Sequence, residues 1–283
     1  MTGYREENKL IMDKNAQIGV FDSGVGGLTV AREIMRQIPN ERIVYFGDTA
    51  RVPYGSKSKD NIIKFSRQII RFLQTENVKA IVIACNTASA LALDEMQQEF
   101  DLPILGVVKP GAKVAVETTA NKRIGLIGTE ANIRSGVYTR YIKSLDDEAK
   151  VFEKACPLFV PLVEEGWLHD DITLQVASRY LEELKEKDID TLIMGCTHYP
   201  LIRSTIRKVM GDKVNLVNPA YETAIELKNL LERDNLANKC DVDSPSSMYR
   251  FYVSDAEEKF KLFANSILPF DITMTKQINI ENY

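Results

Sequence analysis

Short runs that are almost wholly apolar alternate along the chain with longer stretches whose apolar residues recur at helical spacing. Residues 17–21 are the first such run; they end in Asp22-Ser23-Gly24-Val25-Gly26-Gly27, after which a helical pattern extends to Gln37. Residues 42–46 are a second run, ending at Gly47-Asp48. Residues 61–76 then set Ile62, Ile63, Phe65, Ile69, Ile70, Phe72 and Leu73 at helical spacing ahead of a third run at 78–84. Further runs lie at 104–108, 123–127 and 189–194, the last preceded by an amphipathic stretch at 173–186. A short run without polar interruption fits a strand buried on both faces, and strands alternating with helices build β-α units around a parallel sheet. The pattern therefore predicts an α/β protein.

Midway the alternation begins again. At an offset of 111 residues, the segment 73–85 (LQTENVKAIVIAC) lies beside 184–196 (LKEKDIDTLIMGC), with strands in register and the cysteines coincident. Gly128-Thr129 ends its strand much as Asp22-Ser23 ends the first, and Pro110-Gly111 reads as a crossing point between two lobes. After a helical run at 222–232 come a turn-rich 241–247, a strand-like 249–253 and a helix-like 257–268, expected to pack back on the first lobe. The prediction is a tail at 1–15, a first lobe of 16–110 plus 222–283, and a second lobe of 111–221. The two lobes are similar, carry largely parallel sheets, and are related by a pseudo-twofold axis. The cleft between them is where a ligand of such a protein is expected.

Composition narrows the function. With 283 residues, 45% of them hydrophobic, the chain can bury a large core, which excludes disorder and a disulfide-stapled miniature. Thirty-six Lys+Arg against 40 Asp+Glu give a net charge of −4, with no basic block to follow a phosphate backbone, so nucleic acid is not an expected partner. No apolar run approaches the roughly 18–20 residues that span a bilayer, and residues 1–14 mix both charge signs without an apolar core. A cytoplasmic protein with no membrane partner is expected. The four cysteines, Cys85, Cys156, Cys196 and Cys240, are widely spaced and read as free thiols. Only His169 and His198 supply imidazole.

Cys85 and Cys196 each follow a buried strand, where open α/β sheets place binding residues, and each precedes a predicted helix start. Backbone N–H groups there would draw a thiol pKa down from ~8.5 toward neutrality. A lone cysteine in such a place is more often a small core residue. Two at equivalent positions, followed by the polar pairs Asn86-Thr87 and Thr197-His198, point to function, while Cys156 and Cys240 read as structural. Two thiols facing each other across a cleft suit stereoinversion, which needs one base and one acid on opposite faces of a carbon. Asp22, His198 and Glu164 are candidates to tune or orient them. Asp22 reads equally as a helix cap, His198 as a turn residue bonded to backbone, and spacing alone gives Glu164 no role. The turn Gly24-Val25-Gly26-Gly27, with Asp48 ending the next strand, partly matches a dinucleotide fingerprint, but Thr29 stands in place of the third Gly and Asp22 would oppose a pyrophosphate. A small anion such as a carboxylate at the helix start, met also by Ser23, Asn86, Thr87 and Thr197, fits better. A zinc site from Cys85, Cys196 and His198 is a weaker reading, its ligands coming from opposite lobes. No metal is expected.

Val20-Phe21-Asp22-Ser23-Gly24-Val25-Gly26-Gly27-Leu28, Val52-Pro53-Tyr54-Gly55, Ala84-Cys85-Asn86-Thr87-Ala88, Pro161-Leu162-Val163-Glu164-Glu165-Gly166 and Gly195-Cys196-Thr197-His198-Tyr199-Pro200 together resemble the glutamate racemase family, in order, over residues 17–222. The resemblance implies interconversion of L- and D-glutamate without a cofactor, supplying D-glutamate for peptidoglycan, by a homodimeric enzyme. It implies catalytic thiols at Cys85 and Cys196, assisting groups at Asp22, Glu164 and His198, and substrate contacts at Asp22, Ser23, Tyr54, Gly55, Asn86, Thr87, Thr197 and His198. Two positions depart from the family pattern: Asn132 stands where Thr is frequent, and Lys109 occupies a variable site before Pro110-Gly111. An aspartate racemase of the same superfamily shares the paired thiols, and a non-catalytic amino-acid sensor would use the same cleft. Turnover assays separate the three readings.

Overall fold

Among the described residues every strand pairing is parallel, and the strands form two sheets. The computed structural model describes residues 13–239, 248–272 and 274–283. Cys240, the turn-rich stretch at 241–247 and most of the N-terminal tail lie outside the described residues. The first sheet contains β1 (Gln17–Asp22), β2 (Ile43–Gly47), β3 (Val78–Ile83) and β4 (Ile104–Gly106), joined through helices α1 (Leu28–Gln37), α2 (Lys59–Thr75) and α3 (Asn86–Glu99). Helix α4 (Val108–Thr118) then carries the chain to the second sheet. That sheet comprises β5 (Arg123–Gly128), β6 (Lys150–Ala155), β7 (Thr191–Gly195) and β8 (Asn215–Val217), with α5 (Glu130–Ser135), α6 (Val137–Leu145), α7 (Phe159–Glu164), α8 (Asp171–Lys185) and α9 (Arg203–Met210) between them. Helix α10 (Pro219–Arg233) returns the chain to the first sheet, which β9 (Tyr249–Val253), α11 (Glu257–Ile267) and β10 (Thr275–Gln277) complete.

The strand order of the first sheet is β10-β9-β2-β1-β3-β4 and of the second β6-β5-β7-β8. The block β2-β1-β3-β4 thus recurs as β6-β5-β7-β8, and the repeat legible in the sequence is a repeat of topology. Alternate residues of the central strands feed opposite faces, as a pleat requires. Ile18 and Val20 of β1 join Val82 against α1, α10 and α11, while Phe21 joins Ile81 and Ile83 against α2 and α3. In the second sheet Met194 packs toward α7, α8 and α9, and Ile193 toward α4 and α6. Burial on both faces accounts for strands that are apolar at every position.

Three strands escaped the pattern. β6 is half-exposed along most of its length and reads Lys-Val-Phe-Glu-Lys-Ala, while β8 and β10 have three residues each. Pro110-Gly111, read as the crossing point, lies in the first turn of α4, where proline's missing N–H would have had no helical partner in any case. A side chain at Gly111 would put its Cβ 2.9 Å from Pro219 Cγ, so the glycine lets α4 lie against α10 where the two connections between the sheets pass. Strand β4 accordingly stops at Gly106, two residues short of the apolar run.

At the end of the first sheet remote from the strand C-termini, Lys79 is fully buried. Its ammonium lies 2.6 Å from Glu41 Oε2 and donates to the carbonyls of Lys14 (2.6 Å) and Leu236 (2.8 Å), and Glu41 accepts from Asn238 N–H at 2.7 Å. One cation thereby ties β3, the turn before β2, the chain entering β1 and the segment after α10. Lys79→Met should destabilise the protein by about 3–5 kcal/mol, because it strands the Glu41 carboxylate in the interior. The double variant Lys79→Met/Glu41→Leu should recover most of that loss in urea denaturation; a single variant as stable as the parent would refute the assignment.

Candidate active site

In each sheet the strand β3 or β7 ends in a turn that carries a thiol. β3 leads through Ala84 to Cys85, the N-terminal cap residue of α3, whose carbonyl accepts from Ser89 N–H at 2.8 Å. β7 leads directly to Cys196, whose carbonyl accepts from Tyr199 N–H at 3.2 Å as the 3-10 turn Tyr199–Ile202 begins. β1 ends at Asp22, and β5 runs into Thr129, which caps α5 by accepting from Asn132 N–H at 3.3 Å. Parallel strands deliver all such turns to one edge of a sheet.

The two edges meet around a cavity of about 30 Å³. From the first lobe come Ser23, Cys85, Asn86, Thr87 and the segment Val52, Pro53, Tyr54 and Gly55; from the second come Thr129, Val160, Cys196, Thr197 and His198. Both thiols therefore line one space from opposite lobes. Polar contacts bridge the lobes around it: Thr87 Oγ1 and Thr129 Oγ1 are 3.0 Å apart, Tyr138 O–H donates to Asn86 Oδ1 at 2.8 Å, and the Thr29 hydroxyl is 2.9 Å from the carbonyl of Thr197. At Gly26 the first lobe lies directly against side chains of the second, since a Cβ there would fall 2.5 Å from side-chain atoms of both His198 and Thr197.

The groups behind the thiols differ between the lobes. Cys85 Sγ is 3.7 Å from Ser23 Oγ. Burial and then the charge of Asp22 push its thiol up to about 12, against the opposing effect of the Ala88 N–H and Ser23. Asp22 is itself fully buried. Burial raises its carboxyl above the usual range despite His198 and the N–H groups of Gly27, Gly24 and Ser23. Cys196 Sγ lies 3.7 Å from His198 Nδ1, and His198 Nε2 lies 3.0 Å from Glu164 Oε1. Burial alone would lower the imidazole pKa, but its bonds to Cys196 and Glu164 prevail and raise it to about 10. Burial likewise favours neutral Glu164, yet the bond and charge of His198 hold that carboxyl below its ordinary value.

Several expectations need correction. The Cys85 thiol pKa is raised, not lowered, because desolvation outweighs the helix-start N–H groups. Asp22 and Glu164 do not line the cavity: Asp22 lies behind Ser23 and Thr197, and Glu164 behind His198. Tyr54 does line it, but its hydroxyl is donated to buried Asp48, which also binds Arg51 Nε (2.7 Å) and Ser254 Oγ (2.8 Å). Asp48 thus braces the 48–55 loop and leaves nothing for a ribose. The glycine-rich turn is filled by His198 and Thr197 rather than by a phosphate. Asn132 donates from Nδ2 to the carbonyl of Gly195 at 2.8 Å and supports the Cys196 turn from behind, without lining the cavity. Among the described residues no three His, Cys, Asp or Glu side chains are grouped to hold a metal ion. Sequence reasoning missed Thr129, Val160 and Tyr138. Only Thr129 carried a signal, in the likeness of Gly128-Thr129 to Asp22-Ser23.

Two thiols thus reach one cavity from two α/β lobes of the same strand order. Residues 18–225 match the family model described as Asp/Glu/Hydantoin racemase, and the chain belongs to that family. A curated glutamate racemase from Geobacter metallireducens is 44% identical over 264 residues, 93% of this chain and 97% of the relative. Among solved structures, a glutamate racemase isoform from Bacillus anthracis superposes with a TM-score of 0.89 at 40% identity, covering 94% of this chain and 98% of that one. The glutamate racemase of Francisella tularensis, solved in complex with D-glutamate, gives 0.88 at 38% identity, covering 95% and 100%.

The His198 assignment is open to direct titration. With its pKa raised from 6.5 to about 10, His198 contributes stability that is complete below pH 6.5 and is lost as the pH rises through about 10. Nuclear magnetic resonance of the imidazole, told apart from His169 by a His169→Gln variant, should give a midpoint near 10 in the parent. Glu164→Gln should move that midpoint toward 6.5. A parent midpoint already at 6.5 would contradict the imidazolium.

Proposed function

We propose that this chain interconverts L- and D-glutamate by moving the α-proton between Cys85 and Cys196. The observation that carries the reading is the shared cavity: two thiols reach it from opposite lobes, each from the end of a repeated strand. Glutamate as the substrate is supported by relatives above 40% identity that bear that name and by the D-glutamate in a structure of the same fold.

The electrostatics suit one direction of the first step. Cys196 Sγ lies 3.7 Å from His198 Nδ1, while Cys85 is held protonated by burial and Asp22. With L-glutamate bound, the Cys196 thiolate removes the α-proton and becomes a thiol; the Cys85 thiol delivers its own proton to the opposite face and becomes a thiolate. D-glutamate leaves, and the reverse reaction runs from that second form. Glu164 holds the imidazole in place, and Asp22 lies behind Ser23. Ser23, Asn86, Thr87 and Thr197 supply donors for the substrate carboxylates, fixed before reaction and aimed where negative charge accumulates. Acid and base both come from the chain, so the scheme calls on no cofactor. The product would be D-glutamate for peptidoglycan.

A space of about 30 Å³ holds one or two waters and not an amino acid, so the lobes must part to admit substrate. They close afterwards, excluding water from the carbanion. In D2O, starting from pure L-glutamate, the D-glutamate formed early should carry deuterium at Cα while recovered L-glutamate stays unlabelled. Label entering both at equal rates would replace the pair of thiols with a single exchanging base. Cys85→Ser and Cys196→Ser should each lower kcat/KM at least ~10²-fold, as expected for loss of an acid or base. The same assay with aspartate, and a purified protein that binds glutamate without turnover, would expose the two rival readings.

A further inference from the structure

Asn86 follows Cys85 as the first residue of α3, lines the cavity and is buried. Its Oδ1 accepts from the hydroxyl of Tyr138 at 2.8 Å, and that is the one bond of its side chain among the described residues. Both Nδ2 hydrogens are therefore unclaimed on a residue facing the substrate space. Tyr138 belongs to the opposite lobe: it lies on α6, 1% exposed, with its ring packed among Leu126, Ile142 and Ile193.

A side-chain amide has two nearly equivalent settings that exchange oxygen for NH₂. One presents two donors to the cavity, the other an acceptor that would repel a carboxylate. What separates them is the partner on the far side. Tyr138 is kept un-ionised by burial and by the nearby charge of Cys196, so it always has a proton to give. A hydroxyl can also accept, but a donated O–H on Oδ1 leaves the amide hydrogens for a ligand that needs them.

We propose that Tyr138 is a positioning residue that takes Asn86 Oδ1 as the lobes close and thereby turns the amide N–H donors toward a substrate carboxylate beside Cys85. The inference rests on the glutamate reading, since it is a carboxylate that requires donors there. Because the partners sit in different lobes, the bond is made on closure and broken on opening. The donor is set in the form that does chemistry and released in the form that exchanges ligand.

Tyr138→Phe keeps the buried ring and removes the hydroxyl alone. It should lower kcat/KM about tenfold for both enantiomers, mainly through KM, the scale expected for leaving a buried acceptor unpaired. In an Asn86→Ala background the same substitution should cost less than twofold, because the group through which Tyr138 acts is gone. Equal losses in the two backgrounds, or no loss in either, would overturn the proposal. If Asn86→Ala turns over too slowly to measure, calorimetric binding of racemic glutamate to the four proteins completes the same cycle. Failure of the parent to racemise glutamate at all would defeat the substrate assignment; equal factors in an active parent would defeat only the role of Tyr138.

Discussion

The approach of two turns, one at residues 23–27 and the other at 196–198, is the constraint on which the rest of the molecule depends. A Cβ on Gly26 would lie 2.5 Å from side-chain atoms of His198 and Thr197, so the first lobe's turn has no room for a side chain where it meets the second lobe's. That proximity sets the separation of the two sheets at their active edge. A proton can be taken from one face of a carbon and returned to the other only if both groups are held across it at contact distance. The parallel sheets make this possible because their topology collects every functional turn at one edge, and the shared order β2-β1-β3-β4 and β6-β5-β7-β8 brings like ends together.

Closure of that kind has an electrostatic cost, and the site distributes it unequally. Fully buried Asp22 beside Cys85 leaves the first lobe with a proton-loaded thiol, since two anions so close together in a dry site are unfavourable. In the second lobe the imidazolium of His198 lies between Cys196 and Glu164 and offsets the charge of Glu164. Glu164 is the one member of this set with appreciable exposure, 23% of its side chain. The two thiols are almost equally buried, and what differs between the lobes is the charged group beside each: Asp22 near Cys85 and His198 near Cys196. The interior cation Lys79, at the opposite end of the same sheet, obeys the same rule by being surrounded with one carboxylate and two carbonyls.

Much of this was legible in the sequence where the signal is local. Strands buried on both faces announce themselves as unbroken apolar runs, and the polar residues next to each cysteine are covalent neighbours of the strand that places them. Edge strand β6, exposed on one side and charged at three of its six positions, carries no such run. The direction of the Cys85 shift was misread because helix-start N–H groups can be inferred from neighbouring residues, whereas desolvation depends on the opposite lobe. Tyr138 and Asn86 are 52 residues apart and meet across the cleft, a contact that neither helix pattern encodes. Glu164 gave nothing from spacing because its role is defined by the His198 nitrogen it touches. Thr129 was the exception among the missed residues, hinted at by a strand ending like that of β1.

The repeat also explains why the site is not symmetric. By strand equivalence Asp22 of β1 corresponds to Gly128 of β5, and Thr87 after the first thiol corresponds to His198 after the second. A carboxylate at position 128 would have no room: a Cβ there lies 3.0 Å from Asn132 Nδ2, and Asn132 is already bonded to the carbonyl of Gly195. The second lobe therefore obtains its acid from α7, through Glu164, and its positive charge from His198. The two thiols therefore stand in different surroundings, Cys85 beside Ser23 and Asp22, Cys196 beside His198. An amino acid has no twofold axis of its own, so the donors on its two sides must also differ. Divergence between the repeats is what turns a symmetric pair of thiols into a site that can hold and process such a ligand.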